Sequence, residues 1–520
     1  MTTRTSAAAV PAILPARQDG VPPRQSGHRE ILKSSALIGG SSLINVGIGM
    51  LRAKALALLL GPTGYGVMGA YTLIVELAKS VAEFGINSSG VREIADAVGS
   101  GDSRRVARTV TVLRRATLVC GAVGALLLAA LARPLSQMTF GDTDHTAPVA
   151  FLGVAVFFGV ITGGQTALLQ GMRRVADLAK LTVFGGIFGT VICIPMVYFL
   201  GLRGLVPTLV AAAGCAVATS WWYSRAVKIV PPPMSAIETA RHSSALFKLG
   251  LAFMASGLLT TGAAYAVRLI VLREAGLAAA GIYYAAWSLG GLYVGFVLQA
   301  MGTDFYPKLV AKANDDLACN DLVNEQAQVS LLLAIPGVLG TLTLAPLAVA
   351  TFYSGDFAPA ATVLRWICLG MSLRVLTWPI GFIVVAKNRR TLFFGLEAAW
   401  TLVNVGLTWL FVSTFGVDGA GFAYFGSYVF HTLVLLPVVR RLSGFRWSAT
   451  NVRTAACCFT CIGAVFLAFQ LLSTWSALAL GLIATVVSGY LSARILARLV
   501  SPGQLPRALR WLLQLGRQAT

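Results

Sequence analysis

From about residue 31 to residue 498 the chain alternates apolar stretches of roughly 20 residues with short polar turns, and about 20 helical residues span the hydrocarbon core of a bilayer. Fourteen such stretches can be marked, centred near Asn45, Val75, Cys120, Phe158, Ile187, Ala213, Leu259, Gly291, Ile335, Leu373, Val403, Val429, Val465 and Thr485. They predict an all-α polytopic membrane protein with about 14 transmembrane helices. Composition excludes a soluble globule. Charged residues make up 12% of the 520, against about 25% in soluble domains. The turns expected outside, such as GPTGYG, GLRG and FGVDGA, are too short to fold a domain. The longest cytoplasmic connections are expected over 87–108, 225–244 and 303–325.

The net charge of +21 raises the question of a nucleic-acid partner, and its distribution argues against one. Of 41 Lys and Arg residues, 32 fall in the tails and alternate loops of one side; Arg133, Arg203 and Arg273 fall on the other. This is the positive-inside asymmetry, which orients both termini and the basic loops to the cytoplasm. No apolar signal segment is seen in residues 1–30, which read as a disordered cytoplasmic tail. Cys457, Cys458 and Cys461 form a CC-x-x-C pattern inside an apolar span with no His nearby, which suits small hydrophobes better than a metal site.

The segment 41–95 carries charges where they are costly. Arg52 lies inside the first span, and Glu76, Lys79 and Glu83 lie inside the second. An ionised side chain at membrane depth costs roughly 2.5–3.5 kcal/mol, so it is kept facing a partner or a wet cavity. Ser41, Asn45 and Arg52 share one helical stripe; Thr72, Glu76, Lys79, Glu83 and Asn87 make a second. Two polar stripes on adjacent helices predict a water-filled interior. Lys54 points elsewhere and is expected to snorkel.

An internal repeat runs through the chain. Gly66 in GYGVMGAYTLI pairs with Gly281 in AAGIYYAAWSL, and GLRGLVPTLV pairs with GVDGAGFAYF, both at an offset of 215. Arg52 and Arg268, like Arg173-Arg174 and Arg389-Arg390, are offset by 216. The expected organisation is an N-lobe of six spans over 31–228 and a linker over 229–244. A pseudo-symmetric C-lobe of six spans follows over 245–441, then two accessory helices over 442–500 and a cytoplasmic tail over 501–520. Parallel repeats of this kind place a substrate cavity between their halves. Arg374, Glu397 and His431 add polar groups to the second half.

These features resemble the polysaccharide-transporter branch of the multidrug/oligosaccharidyl-lipid/polysaccharide exporter superfamily. The nearest likeness is to the O-antigen and enterobacterial-common-antigen repeat-unit translocases. The resemblance covers roughly residues 31–441. It rests on AKALALLLGPTGYG, LSQMTFGDTDHT, ALLQGMRRVADLAKLTVFGGIFG, FYPKLVAKANDD and GFIVVAKNRRTLFFGLE in that order. It implies a flippase, not an enzyme, that moves undecaprenyl-diphosphate-linked oligosaccharide repeat units to the periplasmic leaflet by alternating access. The setting implied is the bacterial inner membrane and O-antigen or exopolysaccharide biosynthesis. The implied partners are the lipid-linked oligosaccharide, membrane lipids and polymerase and chain-length machinery, with no nucleic acid. No cofactor is implied; coupling to protons, sodium or the membrane potential stays open. Two spans beyond the usual twelve depart from the common-antigen relatives.

The candidate substrate-binding residues are Arg52, Arg268, Arg374, Asn45 and Lys79; the guanidinium of each arginine offers phosphate a bidentate fork, and Asn45 and Lys79 add polar groups to the two stripes. The bland alternative for Arg52 and Arg268 is snorkelling at span ends. Glu76, Glu83 and Glu397 are the candidate coupling or gating groups. Against this, Glu76, Lys79 and Glu83 can form a self-neutralising helical ion-pair ladder, and Glu397 can pair with Arg374. Tyr283, Tyr284, Trp287 and Tyr293 suit sugar stacking or plain packing; Gly39-Gly40, Gly47, Gly49 and Gly185-Gly186 suit close helix approach or bending. Two related alternatives remain: a lipid II flippase and a cation-coupled multidrug antiporter. A polymerase or ligase would need a richer external loop than 132–146.

Overall fold

The computed structural model describes residues 23–227 and 233–499. The expected tail 501–520, most of 1–30 and Pro231-Pro232 of the linker lie outside the described residues. Fifteen α-helices follow in order among those described. They are α1 (Pro23–Ala82), α2 (Ile86–Gly99), α3 (Ser103–Ala130), α4 (Ala132–Thr139), α5 (Thr146–Gly171), α6 (Val175–Leu200) and α7 (Leu205–Ser224). Then come α8 (Ala236–Ala311), α9 (Asp316–Thr343), α10 (Ala345–Phe352), α11 (Ala360–Ala386), α12 (Arg390–Phe415), α13 (Val417–Ser443), α14 (Ala449–Leu471) and α15 (Thr474–Leu499). In lipid every backbone polar group has to be satisfied within the protein, which leaves helices or closed barrels, and continuous apolar runs of about 20 residues suit helices.

Eleven helical stretches among the described residues are long and apolar enough to cross a membrane. Three of them, Gly40–Ala82, Val175–Ser224 and Gly257–Gly295, run 43, 50 and 39 residues, about twice one crossing. Each is interrupted near its middle, at Gly61, Gly201 and Gly276. The eleven stretches therefore hold fourteen segments of bilayer length.

Several connections expected as loops are helical instead. The stretch 87–108 is largely α2, whose apolar side (Ile86, Ile94, Ala97) is buried against Val106, Val110 and Leu113 of α3. Its amphipathic spacing, not overall hydropathy, was the signal. The stretch 303–325 shrinks to four residues, because α8 runs on to Ala311 and α9 starts at Asp316 under a cap from the Asp315 carboxylate. Helix α1 begins at Pro23, within the stretch 1–30.

The repeat is written into the backbone. Gly61 (φ 60, ψ −177) and Gly276 (φ 88, ψ 174) break α1 and α8 at equivalent points, in a region of conformational space open essentially to glycine alone. Arg173 and Asn388 share φ 55, and Asp102 and Asp315 cap equivalent helices.

Two compact units emerge. The first gathers Tyr71–Thr261 with the chain up to Leu59; the second gathers Leu60–Ala70 with the chain from Gly262. In the first, α5 packs on α3 and α7, and α6 on α7; in the second, α11 packs on α9 and α13, and α12 on α13. Helices α14 and α15 join the second unit chiefly through α9. Asn451 Nδ2 donates to the Asn324 carbonyl at 2.8 Å, and the Ser448 hydroxyl caps α14. Cys457 is exposed on α14 and Cys458 and Cys461 are half-buried, so the expectation of small buried hydrophobes is corrected: this face lies outside the protein core.

Candidate functional site

In the first unit, the polar stripe of α1 faces α6. The Asn45 carboxamide oxygen lies 2.5 Å from where a Cβ on Gly186 would stand, so a larger residue there would push the carboxamide aside. One register further, Arg52 is half-buried and its charge reaches the Cys193 thiol of α6. No carboxylate lies within ion-pair distance of Arg52 among the described residues. Gly40, Gly47, Gly49 and Gly185 meet nothing within 4 Å. Of these five described glycines, only Gly186 shows close helix approach.

The second stripe divides. Lys79 Nζ and Glu83 Oε1 lie 3.5 Å apart, an ion contact too long for a hydrogen bond. Both side chains lie in a groove on α5 opened by two glycines one turn apart. A Cβ at Gly159 would stand 3.1 Å from Lys79 Cδ, and one at Gly163 would stand 2.6 Å from Glu83 Oε1. Glu76 is exposed and takes no part in the pair. The chain then turns sharply at Phe84 (φ 48) and Gly85 (φ 67). There Gly85 and Gly250 of α8 bring their backbones together, and Phe84 packs edge-on against Phe247 at 5.6 Å.

In the second unit, Arg268 sits on an aromatic surface. Its guanidinium carbon is 4.9 Å from the Tyr284 ring centre, and its charge reaches Tyr283. Arg374 on α11 lies beside Tyr424 and Tyr428 of α13, with Glu397 of α12 in electrostatic range but not in ion-pair contact. Rings connect the two arginines: Tyr283 to Trp287 at 6.2 Å, then Trp287 to Tyr424 at 5.1 Å, edge to face. Arg268, Arg374 and Glu397 are thus parts of one basic-aromatic wall. A guanidinium over a tyrosine ring is held by about 0.5–2 kcal/mol without spending its N–H donors, which stay available for an anion.

Tyr283 is only 4% exposed and Trp287 is engaged with Tyr424, so both serve chiefly in packing. Tyr293 donates its hydroxyl to the Leu333 carbonyl at 2.7 Å. His431 rests against Tyr428, with ring centres 6.0 Å apart. Tyr424 and Tyr428 were not singled out from sequence. Their spacing with His431, four and then three residues on one helix, was the available signal.

A second aromatic group closes the turn ends of the same unit. Tyr65 meets Tyr284 at 5.4 Å, Tyr353 at 5.6 Å and Phe357 at 5.6 Å, and the Tyr353 and Ser288 hydroxyls bond at 2.6 Å. Beside it, repeat-equivalent glycines press together. A Cβ on Gly66 would lie 2.0 Å from the Leu277 carbonyl oxygen, and a Cβ on Gly281 would lie 2.0 Å from the Pro62 carbonyl oxygen.

Comparison with known proteins agrees with this architecture. The chain is 24% identical over 418 residues to the Lipid III flippase of Escherichia coli strain K12 and equally to that of Shigella flexneri, covering 77% of this chain and 95% of each relative. Among solved structures, the fold resembles the inward closed conformation of the Lipid II flippase MurJ (TM-score 0.67, 13% identity, 88% of this chain and 99% of that one). It also resembles an inward-facing multidrug resistance MATE family transporter of the MOP superfamily (TM-score 0.63, 13% identity, 77% and 95%). The family model described as polysaccharide biosynthesis protein matches residues 55–362, well over half of the chain, and this multi-pass membrane protein belongs to that family.

Proposed function

We propose that the protein is a flippase that carries a lipid-linked, diphosphate-bearing oligosaccharide from the cytoplasmic to the periplasmic leaflet for O-antigen or exopolysaccharide synthesis. The observation that carries this reading is the state of the two repeat-related arginines. Arg52 and Arg268 sit in bilayer-length helices, and neither has a carboxylate in ion-pair distance among the described residues. A cation so placed costs roughly 2.5–3.5 kcal/mol, and an anionic cargo would offset that cost. Relatives named as Lipid III flippases support the same class of cargo.

In this reading Arg52 with Asn45 and Arg268 with Arg374 hold the anionic headgroup through charge-assisted hydrogen bonds, while the lipid tail stays in the bilayer. Lys79 is a weaker candidate ligand, because Glu83 already engages it. Glu76, Glu83 and Glu397 are the groups whose protonation or ion binding would couple the cycle. The protein would sit in the inner membrane with both termini cytoplasmic and feed polymerase and chain-length machinery outside. Basic residues as cargo ligands fit a drug-cation antiporter poorly.

Deletion in the native host, with extraction of lipid-linked oligosaccharides, tests the proposal. Accumulated repeat units and lost surface glycan are expected, and the mass of the accumulated species names the cargo. Accumulated lipid-linked peptidoglycan precursor would instead make it a lipid II flippase. Intact glycan with new sensitivity to cationic drugs would overturn the reading.

A further inference from the structure

A second basic site lies at the N-terminal end of α3, wholly within the first unit. A cavity of about 260 Å³ opens between α2, α3 and the start of α8, with Arg105, Arg108, Thr109, Glu93 and His242 on its polar side. Val112 and Leu246 form its apolar floor. Arg105 and Arg108 are one turn apart on α3, and among the described residues neither has a carboxylate in ion-pair distance. Arg115, further along α3, ties the start of α8 and the residues before it to α3 by donating to the Met234 carbonyl at 2.9 Å and the Thr239 hydroxyl at 2.8 Å.

Three features define what would fit. Pockets for drug-sized ligands measure about 300–1,000 Å³, so this smaller cavity suits a headgroup rather than a sugar chain. Two arginines against one carboxylate leave a surplus of one positive charge before His242 is counted, which matches a phosphodiester monoanion. Counting back about 20 residues from Ala130 places the hydrocarbon boundary near Thr111, so Arg108 and Arg105 lie roughly 5–9 Å beyond it, at headgroup depth.

We propose that this cavity binds the phosphodiester headgroup of an anionic glycerophospholipid, with Arg105 and Arg108 on the phosphate and the chains leaving over Val112 and Leu246. The site shares no residue with the cargo site proposed above, so either can fail alone.

The test is native mass spectrometry of the purified full-length protein titrated with phosphatidylglycerol, phosphatidylcholine, undecaprenyl diphosphate or sodium pyrophosphate. Phosphatidylglycerol is expected to bind at least tenfold more weakly to Arg105→Gln/Arg108→Gln than to the parent. The charge-matched control Arg92→Gln/Arg104→Gln should bind as the parent does. Glu93→Gln, which leaves both arginines in place, should shift preference toward undecaprenyl diphosphate. Equal loss in the control, or no loss in the double variant, would overturn the site. Undecaprenyl diphosphate displacing phosphatidylglycerol from the parent would assign the pocket to an isoprenoid diphosphate instead, and binding of pyrophosphate alone would assign it to free anions; both overturn the phospholipid assignment.

Discussion

The two halves of the repeat share their backbone devices and differ in how they treat charge. Gly61 and Gly276 break equivalent helices, and Arg52 and Arg268 stand at equivalent places before those breaks. Around Arg52 lie a thiol and a glycine-bearing helix; around Arg268 lie tyrosine rings. The first unit seats its acid and base, Glu83 and Lys79, together in one glycine groove. The second has no ion pair between Glu397 and Arg374, and sets Arg374 beside Tyr424 and Tyr428 instead. Duplication thus preserves what the backbone needs, namely breaks and caps. The polar lining is free to diverge, because lining residues are not needed to close the helices.

The sharpest test of the shared part is the contact between Gly66 and Gly281. Either residue changed to Ala places a methyl about 2.0 Å from a backbone oxygen, so the helices must separate; a loss of about 3 kcal/mol is expected from overpacking of this kind, read as a lower melting temperature in detergent. Gly61→Ala meets nothing within 4 Å and suffers only from its φ 60, ψ −177 backbone, a strain of about 1–3 kcal/mol. Equal effects at Gly61 and Gly66 would show that close approach is not what the repeat conserves.

Next come the arginines. Arg52→Ala and Arg268→Ala should each lower transport at least tenfold, equivalent to about 1.4 kcal/mol, while both proteins still insert. Loss in only one would make the divergent surroundings, rather than the shared position, decisive. Full activity in both would sink their proposed role.

A smaller difference is expected on α5. Gly163→Ala drives a methyl against Glu83 Oε1, whereas Gly159→Ala meets only the flexible Lys79 stem at 3.1 Å. Gly163→Ala should therefore be the less stable by about 1 kcal/mol, measured side by side in thermal unfolding.

The smallest effect is at the turn before α5. The Asp142 carboxylate accepts from the His145 ring at 2.9 Å, which holds its pKa below the usual carboxylate value. A depressed pKa contributes stability that is present above the ordinary Asp value of about 3.9 and is lost as pH falls through the lower folded value. The corresponding turn, Tyr353 to Pro359, has no histidine. Acid should therefore weaken hydrogen-exchange protection at Thr143–Val149 and leave the other turn unchanged. Asp142 is partly exposed, with 43% of its side chain accessible, so solvent screening should keep the change slight.

Sequence alone determined the membrane class, the fourteen segments and the repeat. Apolar length and glycine position act locally, and of the two structures lipid permits, helix and closed barrel, continuous apolar runs of about 20 residues select helix. It also exposed Arg52, Arg268, Arg374 and Glu397, because a charge in an apolar span is conspicuous by itself. Only the tertiary structure decided their company. That Lys79 and Glu83 rest on Gly159 and Gly163, and that Arg374 lies beside tyrosines of α13 rather than against Glu397, depends on which helices are neighbours. The same holds for α2, which hydropathy passed over because its stability comes from one buried face. Helix neighbours are set by the packing of small and large residues across distant segments, and no local pattern in the chain records that pairing.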